Sequence, residues 1–275
     1  MCGRATIITP AVDLEKRFNA AFIKSAELKE NVNISAGNEI PVITSEQPNH
    51  IQLFTLGYTP HWAHKQTYMI NARSEGSLNI ENNPNYKGAM GIFNKPMFRH
   101  AIKSQRCLVL VDAFIEGPKQ EKLNKPFIVY PNRDRGPFAL AGIYDTWEHP
   151  LTGELHRTVA IITTAANRLT QRIEHHRAPV VLSKEDEEKW LNPDISTAEL
   201  SNMMQPFDSK GFNAYPISQK IKNPEANGLE LLKPIGDKLF KDYDRCLYER
   251  LKFAEEDEYA IREERLVEGD QFVLF

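Results

Sequence analysis

The chain has 275 residues, of which 41% are hydrophobic, and its 34 basic and 37 acidic residues give a formal net charge of −3. A globular chain of this length buries roughly 75% of the surface that its unfolded form exposes, which excludes fibrous, collagen-like and disordered proteins. No apolar run approaches the ~20 residues of a membrane-spanning helix, no export signal is visible, and three cysteines at unrelated spacings favour a reducing compartment. We therefore expect a cytoplasmic protein without a membrane partner, and we expect it to be a monomer.

The charge is distributed unevenly along the chain. Residues 241–275 hold 6 basic and 11 acidic residues, whereas residues 61–180 hold 16 basic and 10 acidic ones. No repeat, low-complexity segment or linker interrupts the rest of the sequence. The pattern predicts one domain over residues 1–240 and an acidic C-terminal tail over residues 241–275. The basic middle of the chain is compatible with phosphate binding.

A helix is predicted near the N-terminus. Thr9 followed by Pro10 is typical of an N-cap and a first helical position. Leu14, Phe18 and Phe22 then recur every four residues, which places them on one helical face. We expect this face to pack against the core.

Five short runs between residues 51 and 182 are rich in β-branched and aromatic residues, a composition typical of strands. They are residues 51–58 (IQLFTLGY), 107–114 (CLVLVDAF), 126–130 (PFIVY), 138–144 (FALAGIY) and 158–163 (TVAIIT). Residues 215–217 predict a last strand and residues 229–235 one more short element. The charged run at residues 255–266 predicts a helix or a loose tail.

Two helix starts are predicted after the strands. Ser183 is followed three residues later by Asp186, and Ser196 by Glu199, a spacing typical of capped helices. Together with the strands, these helices predict an α+β fold. Its core is expected to be a curved, mostly antiparallel, barrel-like β-sheet with flanking helices.

Cys2 has unusual chemical potential, because removal of Met1 would leave a free α-amine beside its thiol. With reference pKa values near ~8 and ~8.5, both groups are partly deprotonated around neutrality. An amine condenses with an aldehyde to a Schiff base, and a neighbouring thiol can close onto that imine to form a five-membered thiazolidine. The alternative is an inert N-terminal cysteine.

Cys2 lies in the first of five short segments that follow one another along the chain. They are Met1-Cys2-Gly3-Arg4, Asn71-Ala72-Arg73-Ser74-Glu75, Asp112-Ala113-Phe114-Ile115-Glu116, Thr163-Thr164-Ala165-Ala166-Asn167 and His175-His176-Arg177-Ala178-Pro179. Over about residues 1–236 the set resembles the SRAP family, the SOS-response-associated peptidases or abasic-site-processing proteins. The resemblance implies an SRAP-like fold, autocatalytic removal of Met1, and capture of an abasic site in single-stranded DNA as a covalent thiazolidine crosslink that protects the lesion. It also implies nucleoid association on damaged DNA and a lyase side activity.

The resemblance implies a catalytic set of Cys2, Asn71, Glu116 and His175. Cys2 is the nucleophile, and Asn71 orients the opened sugar or the amine. Glu116 shuttles protons for Met1 removal and imine formation, and its apolar setting predicts a raised pKa. His175 moves protons during ring opening and crosslink reversal. The alternatives are a turn-capping Asn71, an exposed Glu116 and a structural His175.

The same resemblance implies a set of DNA-binding residues. They are Arg4, Trp62, Arg73, Ser74, Thr164 and Arg177. The three arginines are expected to clamp phosphates, and Thr164 to line the pocket. Trp62 is expected to stack on a base beside the lesion, worth about 1–3 kcal/mol, unless it belongs to the core.

The sequence departs from the family pattern at several positions outside the catalytic set. Ala36, Leu56, Ala63 and Ala178 replace larger or more rigid residues, and Gly117 stands where a tryptophan usually follows the glutamate. These departures affect the expected base stacking more than the expected chemistry.

Two other functions stay open. An N-terminal-nucleophile amidohydrolase, such as a glutaminase, also begins with Met-Cys-Gly, and release of ammonia from glutamine would support it. A non-catalytic single-stranded DNA-binding module is the second, and substitution of Cys2 would then leave affinity unchanged. No metal or cofactor is expected, because the histidines lack a completing ligand set and no phosphate-binding glycine loop is present.

Overall fold

The structure is a computed structural model that describes residues 3–132, 136–241 and 244–253, with Ala26 by its backbone alone. The α-helices are α1 Ala11–Phe18, α2 Ala101–Ser104, α3 Arg168–Arg172, α4 Lys184–Leu191 and α5 Thr197–Met203. The strands are β1 Arg4–Ile7, β2 Ala21–Phe22, β3 Asn31–Ile34, β4 Glu39–Thr44, β5 Gln47–Leu56, β6 Asn71–Arg73, β7 Arg106–Val111, β8 Ala113–Glu116, β9 Phe127–Pro131, β10 Phe138–Glu148, β11 Leu155–Ala165, β12 Arg177–Pro179 and β13 Phe212–Pro216. None of the helices in these ranges is long and apolar enough to cross a membrane.

Five strands close into a barrel. They follow the order β11-β10-β7-β4-β5, and β5 pairs in parallel with β11 to complete the ring. Every residue of β7 is buried, as expected for a barrel strand that packs on both faces. Apart from the parallel pairings of β5 and β6 with β11 and of β2 with β5, the pairings are antiparallel. The predicted α+β class with a curved, mostly antiparallel, barrel-like core is confirmed.

A second sheet has the antiparallel order β13-β9-β8-β1-β3. The chain passes from the barrel to this sheet at Asp112, whose carboxylate accepts hydrogen bonds from the backbone N–H groups of Ile8 at 2.6 Å and Thr9 at 2.8 Å. These bonds fix the end of β1 against the start of β8. In the resulting register Arg4 lies opposite Ile115.

The N-terminal helix differs from its prediction at both ends. It begins at Ala11 with Pro10 at the N-cap, because the Thr9 hydroxyl donates to Asp112 at 2.6 Å instead of capping the helix. Leu14, Phe18 and Phe22 all pack against the core as predicted, but Phe22 does so from β2, beyond the helix end. The prediction of one continuous face through Phe22 is therefore wrong.

The remaining elements match their local signals. The predicted strands are present, Ser183 accepts a hydrogen bond from the Asp186 backbone, and Ser196 with Glu199 forms a reciprocal capping box. Residues 229–232 form a short 3-10 turn. Residues 255–266, for which a helix or tail is predicted, lie outside the described residues.

Candidate active site

The start of β1 and the end of β8 meet at one cavity. The antiparallel register of these strands, with Arg4 opposite Ile115, brings Gly3 toward Glu116. Gly3, Arg4, Glu116 and His175 all line this cavity, which has a volume of about 1030 Å³. Segments that are far apart in the sequence therefore share one chamber. Cys2, which precedes Gly3 in the chain, lies outside the described residues.

Glu116 and His175 form a buried pair in this cavity. The His175 Nδ1 is 2.7 Å from the Gly117 carbonyl oxygen, and because a carbonyl only accepts, Nδ1 carries the proton. The other ring nitrogen, Nε2, lies 3.5 Å from Oε2 of Glu116. The side chains are 6% and 3% exposed, which contradicts the alternative of an exposed loop glutamate.

Burial moves the pKa values of this pair in opposite directions. Desolvation of the carboxylate raises the pKa of Glu116 to about 7, as its apolar setting predicts. Desolvation of the imidazolium is also the main reason that the pKa of His175 falls to about 4. At neutral pH the imidazole is therefore neutral, with Nε2 as its acceptor nitrogen on the side of Glu116, while the carboxyl group of Glu116 exchanges between its protonated and ionised forms.

Strand β11 carries the start of the 163–167 segment and aligns the 71–75 and 175–179 segments on either side of it. It pairs with β6 along one edge and with β12 along the other, so that Thr163 lies opposite both Arg73 and Pro179. Asn71, the first residue of β6, directly follows Ile70, which lines the cavity. Thr164 and Ser74 are buried within this arrangement. The structure thus brings the NARSE, TTAAN and HHRAP segments together.

Arg177 is held inside the protein. Its guanidinium donates to both carboxylate oxygens of Glu75, at 2.9 and 2.7 Å, and to the Thr163 carbonyl at 2.8 Å. Its side chain is only 3% exposed. This geometry favours a positioning role for Arg177 over the predicted phosphate contact, since a phosphate would have to displace a bidentate carboxylate. Sequence reasoning missed Glu75, although opposite charges in the two motifs were a usable signal.

We expect Glu75→Gln to lower the free energy of unfolding by about 3–5 kcal/mol, because it leaves the buried Arg177 charge without its counter-ion. Urea denaturation at pH 7 measures the loss. Glu27→Gln is the control, because it removes an ion pair with Lys24 that lies at the surface. The Lys24 side chain is 68% exposed and the Glu27 side chain 52%, so this pair contributes little to stability. Equal urea midpoints for the two variants would contradict the expected contribution of the buried Glu75–Arg177 pair to the free energy of unfolding.

The same pair predicts a pH dependence. Burial alone would raise the pKa of Glu75, but the hydrogen bonds and charge of Arg177 hold it below its ordinary value. Because the folded pKa is the lower one, the stabilisation is present above the unfolded pKa of about 4.3 and is lost as the pH falls through the folded value. Glu75→Gln is expected to remove this part of the acid sensitivity.

Three predicted DNA contacts have more accessible positions. Trp62 is 52% exposed, which contradicts its alternative assignment to the core. The Arg73 side chain is 30% exposed and donates to the Asn79 carbonyl, and the Arg4 guanidinium donates to the Lys222 carbonyl at 3.1 Å. Tyr68 is also 52% exposed, and its ring packs against Gly57. The sequence did not identify Tyr68 as an exposed aromatic residue, because no motif contains it.

Gly117 has a steric reason to be glycine. The Lys122 carbonyl occupies the space where a Cβ atom would stand, because residues 118–125 fold back over Gly117. The tryptophan that the family pattern places here would not fit this loop. The same residue supplies the carbonyl that fixes the His175 tautomer.

Gly117→Ala is therefore expected to lower the free energy of unfolding by about 1–3 kcal/mol through overpacking against a backbone carbonyl. The midpoint of urea unfolding measures this cost. Gly88→Ala serves as the control, because its new Cβ meets only the ring end of Tyr86, which can rotate. A Gly117→Ala protein as stable as the Gly88→Ala protein would show that the loop yields without cost.

The closed barrel and its motif-lined cavity define a protein of the SRAP type. The profile of that family, described as SOS response associated peptidase (SRAP), matches residues 1–224, and the chain belongs to this family. It is similar to the abasic site processing protein YoqW of Bacillus subtilis (strain 168), with 30% identity over 239 residues that cover 85% of this chain and 99% of YoqW. It is also similar to the abasic site processing protein YedK of Escherichia coli (strain K12), with 28% identity over 74% of this chain and 84% of YedK.

A solved structure shows the same fold. A protein from Bacteroides thetaiotaomicron superposes with a TM-score of 0.72 at 31% identity, over 86% of this chain and 100% of that chain. The predicted family and its SRAP-like fold are thereby confirmed.

Proposed function

We propose that this protein processes abasic sites in DNA and captures the lesion covalently through Cys2 after removal of Met1. The observation that carries the proposal is the buried Glu116–His175 pair, which lies in the same cavity as Gly3, the residue joined to Cys2. The names of the relatives YoqW and YedK support abasic site processing as the general activity.

The reaction balances without an oxidant or a metal. The α-amine of Cys2 adds to the aldehyde carbon of the ring-opened deoxyribose, and loss of one water gives an imine. The thiol then adds to the imine carbon while its proton passes to the nitrogen, which closes the thiazolidine ring. Tethering of the thiol to the amine gives the second step a large effective concentration.

Glu116 and His175 are suited to the proton transfers. A carboxyl group with a pKa of about 7 can donate a proton to the departing hydroxyl and recover it in the next step. The neutral His175 presents Nε2 as an acceptor for the sugar hydroxyl proton during ring opening. We propose that Asn71, beside the cavity residue Ile70, orients the sugar or the amine.

The proposed substrate is a single strand. An abasic nucleotide has no base to unstack, so its entry into the cavity costs little, and the exposed Trp62 can stack on a neighbouring base. Arg4 and Arg73 are the proposed phosphate contacts, with Ser74, Thr164 and Arg177 supporting them from within. Peptidase action on Met1 and strand cleavage at the imine stage are proposed for the same centre, in a monomeric cytoplasmic protein that joins the nucleoid on damaged DNA.

Intact mass spectrometry tests the proposal. The full-length protein is mixed with an abasic oligonucleotide, the matched intact strand, or glutamine. We expect one adduct, with the abasic strand only, whose mass equals the chain without Met1 plus the oligonucleotide minus one water. Absence of an adduct together with ammonia release from glutamine would establish the amidohydrolase alternative instead.

A further inference from the structure

One wall of the cavity consists of residues that belong to none of the sequence motifs and have no assigned function. It is built from the loop that ends in the 3-10 turn Lys122–Asn124 and from a second 3-10 turn, Gln219–Lys222. Lys119, Lys122 and Lys222 line the cavity from this side, and we name these three residues the lysine wall. All three are exposed. The same cavity contains the Glu116–His175 pair.

Hydrogen bonds hold the lysine wall in place. The Lys222 Nζ donates to the Asn124 side-chain oxygen at 2.6 Å, which joins the two 3-10 turns. The Lys222 carbonyl accepts from the Arg4 guanidinium at 3.1 Å, and the Lys119 backbone N–H donates to the Glu174 carbonyl at 3.1 Å. The wall is therefore tied both to β1 and to the residue before His175.

The charge of the cavity is strongly asymmetric. Arg4 and the lysine wall supply four cations, against the carboxyl groups of Glu116 and Glu121. Lys119 lies close enough to the ring of His176 for its charge to help lower the pKa of that histidine to about 4, after burial as the main cause. An anion that enters beside the Glu116–His175 pair would meet these cations.

We propose that the lysine wall binds the phosphodiester group adjacent to the abasic sugar. This inference rests on the proposed function, since a sugar placed at the Glu116–His175 pair carries its nearest anions on its own 5′ and 3′ oxygens. Lysine ammonium groups bind phosphate as point charges and need no fixed fork geometry, which suits exposed side chains on two short turns. The folding back of residues 118–125 over Gly117 brings Lys119 and Lys122 to this position.

The salt dependence of binding tests the lysine wall. The ligand is a fluorescent single strand with a tetrahydrofuran abasic analogue, which has no aldehyde and cannot form an adduct. Its affinity is measured at several salt concentrations for the unmodified protein, Lys119→Gln, Lys222→Gln and the double variant. We expect the slope of log affinity against log salt to become shallower by about 0.7 for each lost phosphate contact.

Lys184→Gln and Lys189→Gln on α4 are the matched controls, because they remove the same charge from a helix that packs against the barrel strand β7. Lys119→Gln keeps the backbone bond to Glu174, so its folding is expected to be intact, and thermal unfolding checks this. Wall variants with the slope of the α4 controls would overturn the inference. Failure of the proposed function is visible separately, as absence of an adduct between the unmodified protein and a strand that carries the aldehyde.

Discussion

Cys2→Ala is expected to abolish the denaturation-resistant adduct with an abasic strand, and Cys2→Ser is expected to do the same. Both variants keep an α-amine once Met1 is removed, so an imine can form, but neither has a thiol to close the thiazolidine ring. An imine hydrolyses during denaturation, whereas a thiazolidine survives. A denaturing gel of single-turnover mixtures measures the difference, with the loss of Met1 checked by mass.

A reductant distinguishes imine formation by the α-amine of residue 2 from ring closure by the Cys2 thiol. With cyanoborohydride present, the imine is reduced to a stable amine, and the slow band is expected to return in both variants. Cys107→Ala is the control, because Cys107 is fully buried in the barrel and burial raises the pKa of its thiol, which keeps it unreactive. A slow band that forms with Cys2→Ala in the absence of cyanoborohydride would contradict the thiazolidine proposal.

Glu116→Gln is expected to slow adduct formation by about 10²–10⁴-fold, because the amide can neither donate nor recover the proton that leaves with water. The pH profile gives a sharper signature. With a pKa of about 7, the carboxyl group is an available proton donor below that pH and loses this capacity above it. The unmodified protein should therefore show an inflection near pH 7 that the glutamine variant lacks.

Single-turnover rates between pH 5.5 and 8.5 measure both effects. Glu121→Gln is the matched control, because Glu121 lines the same cavity but is exposed. An unchanged inflection in Glu116→Gln would assign the titration to another group, such as the α-amine. A Glu121→Gln variant that loses the inflection would equally contradict the assignment.

The raised pKa of Glu116 also has a stability consequence. In the unfolded chain the Glu116 carboxyl ionises near pH 4.3, whereas in the folded protein it keeps its proton to about pH 7. Its contribution to the free energy of unfolding is therefore complete below the unfolded pKa and is lost as the pH rises through 7. His175 acts in the opposite sense, since its lowered pKa costs stability as the pH falls from about 6.5 toward 4. Glu116→Gln should therefore gain stability relative to the unmodified protein above pH 7.

Local signals were sufficient to predict most of the fold. The strand runs and the helix starts at Ser183 and Ser196 depend on neighbouring residues, and the structure confirms them. The N-terminal helix was predicted incorrectly where a distant residue competes. Thr9 would cap the helix if it were isolated, but Asp112, about a hundred residues away, takes its hydroxyl and its N–H group.

The candidate site was predictable only as far as its motifs reach. The sequence identified Glu116 and His175, and the structure shows them in contact within a cavity, while their catalytic roles stay predictions. The opposite charges of Glu75 and Arg177 are visible in the motifs, but their contact depends on β6 and β12 flanking one strand, which the sequence does not show. The lysine wall has no motif, and it arises from loop closure over a glycine.

The position of β11 between β6 and β12 constrains how the family can vary. Both motif-bearing strands pair with β11 at Thr163, which lies opposite Arg73 and Pro179, so one position of β11 sets the alignment of both strands. Length changes in descendants of this sequence should accumulate at the exposed tip between β10 and β11. The cavity lined by these motifs can thus be inherited as one unit, while the loop between β10 and β11 varies in length.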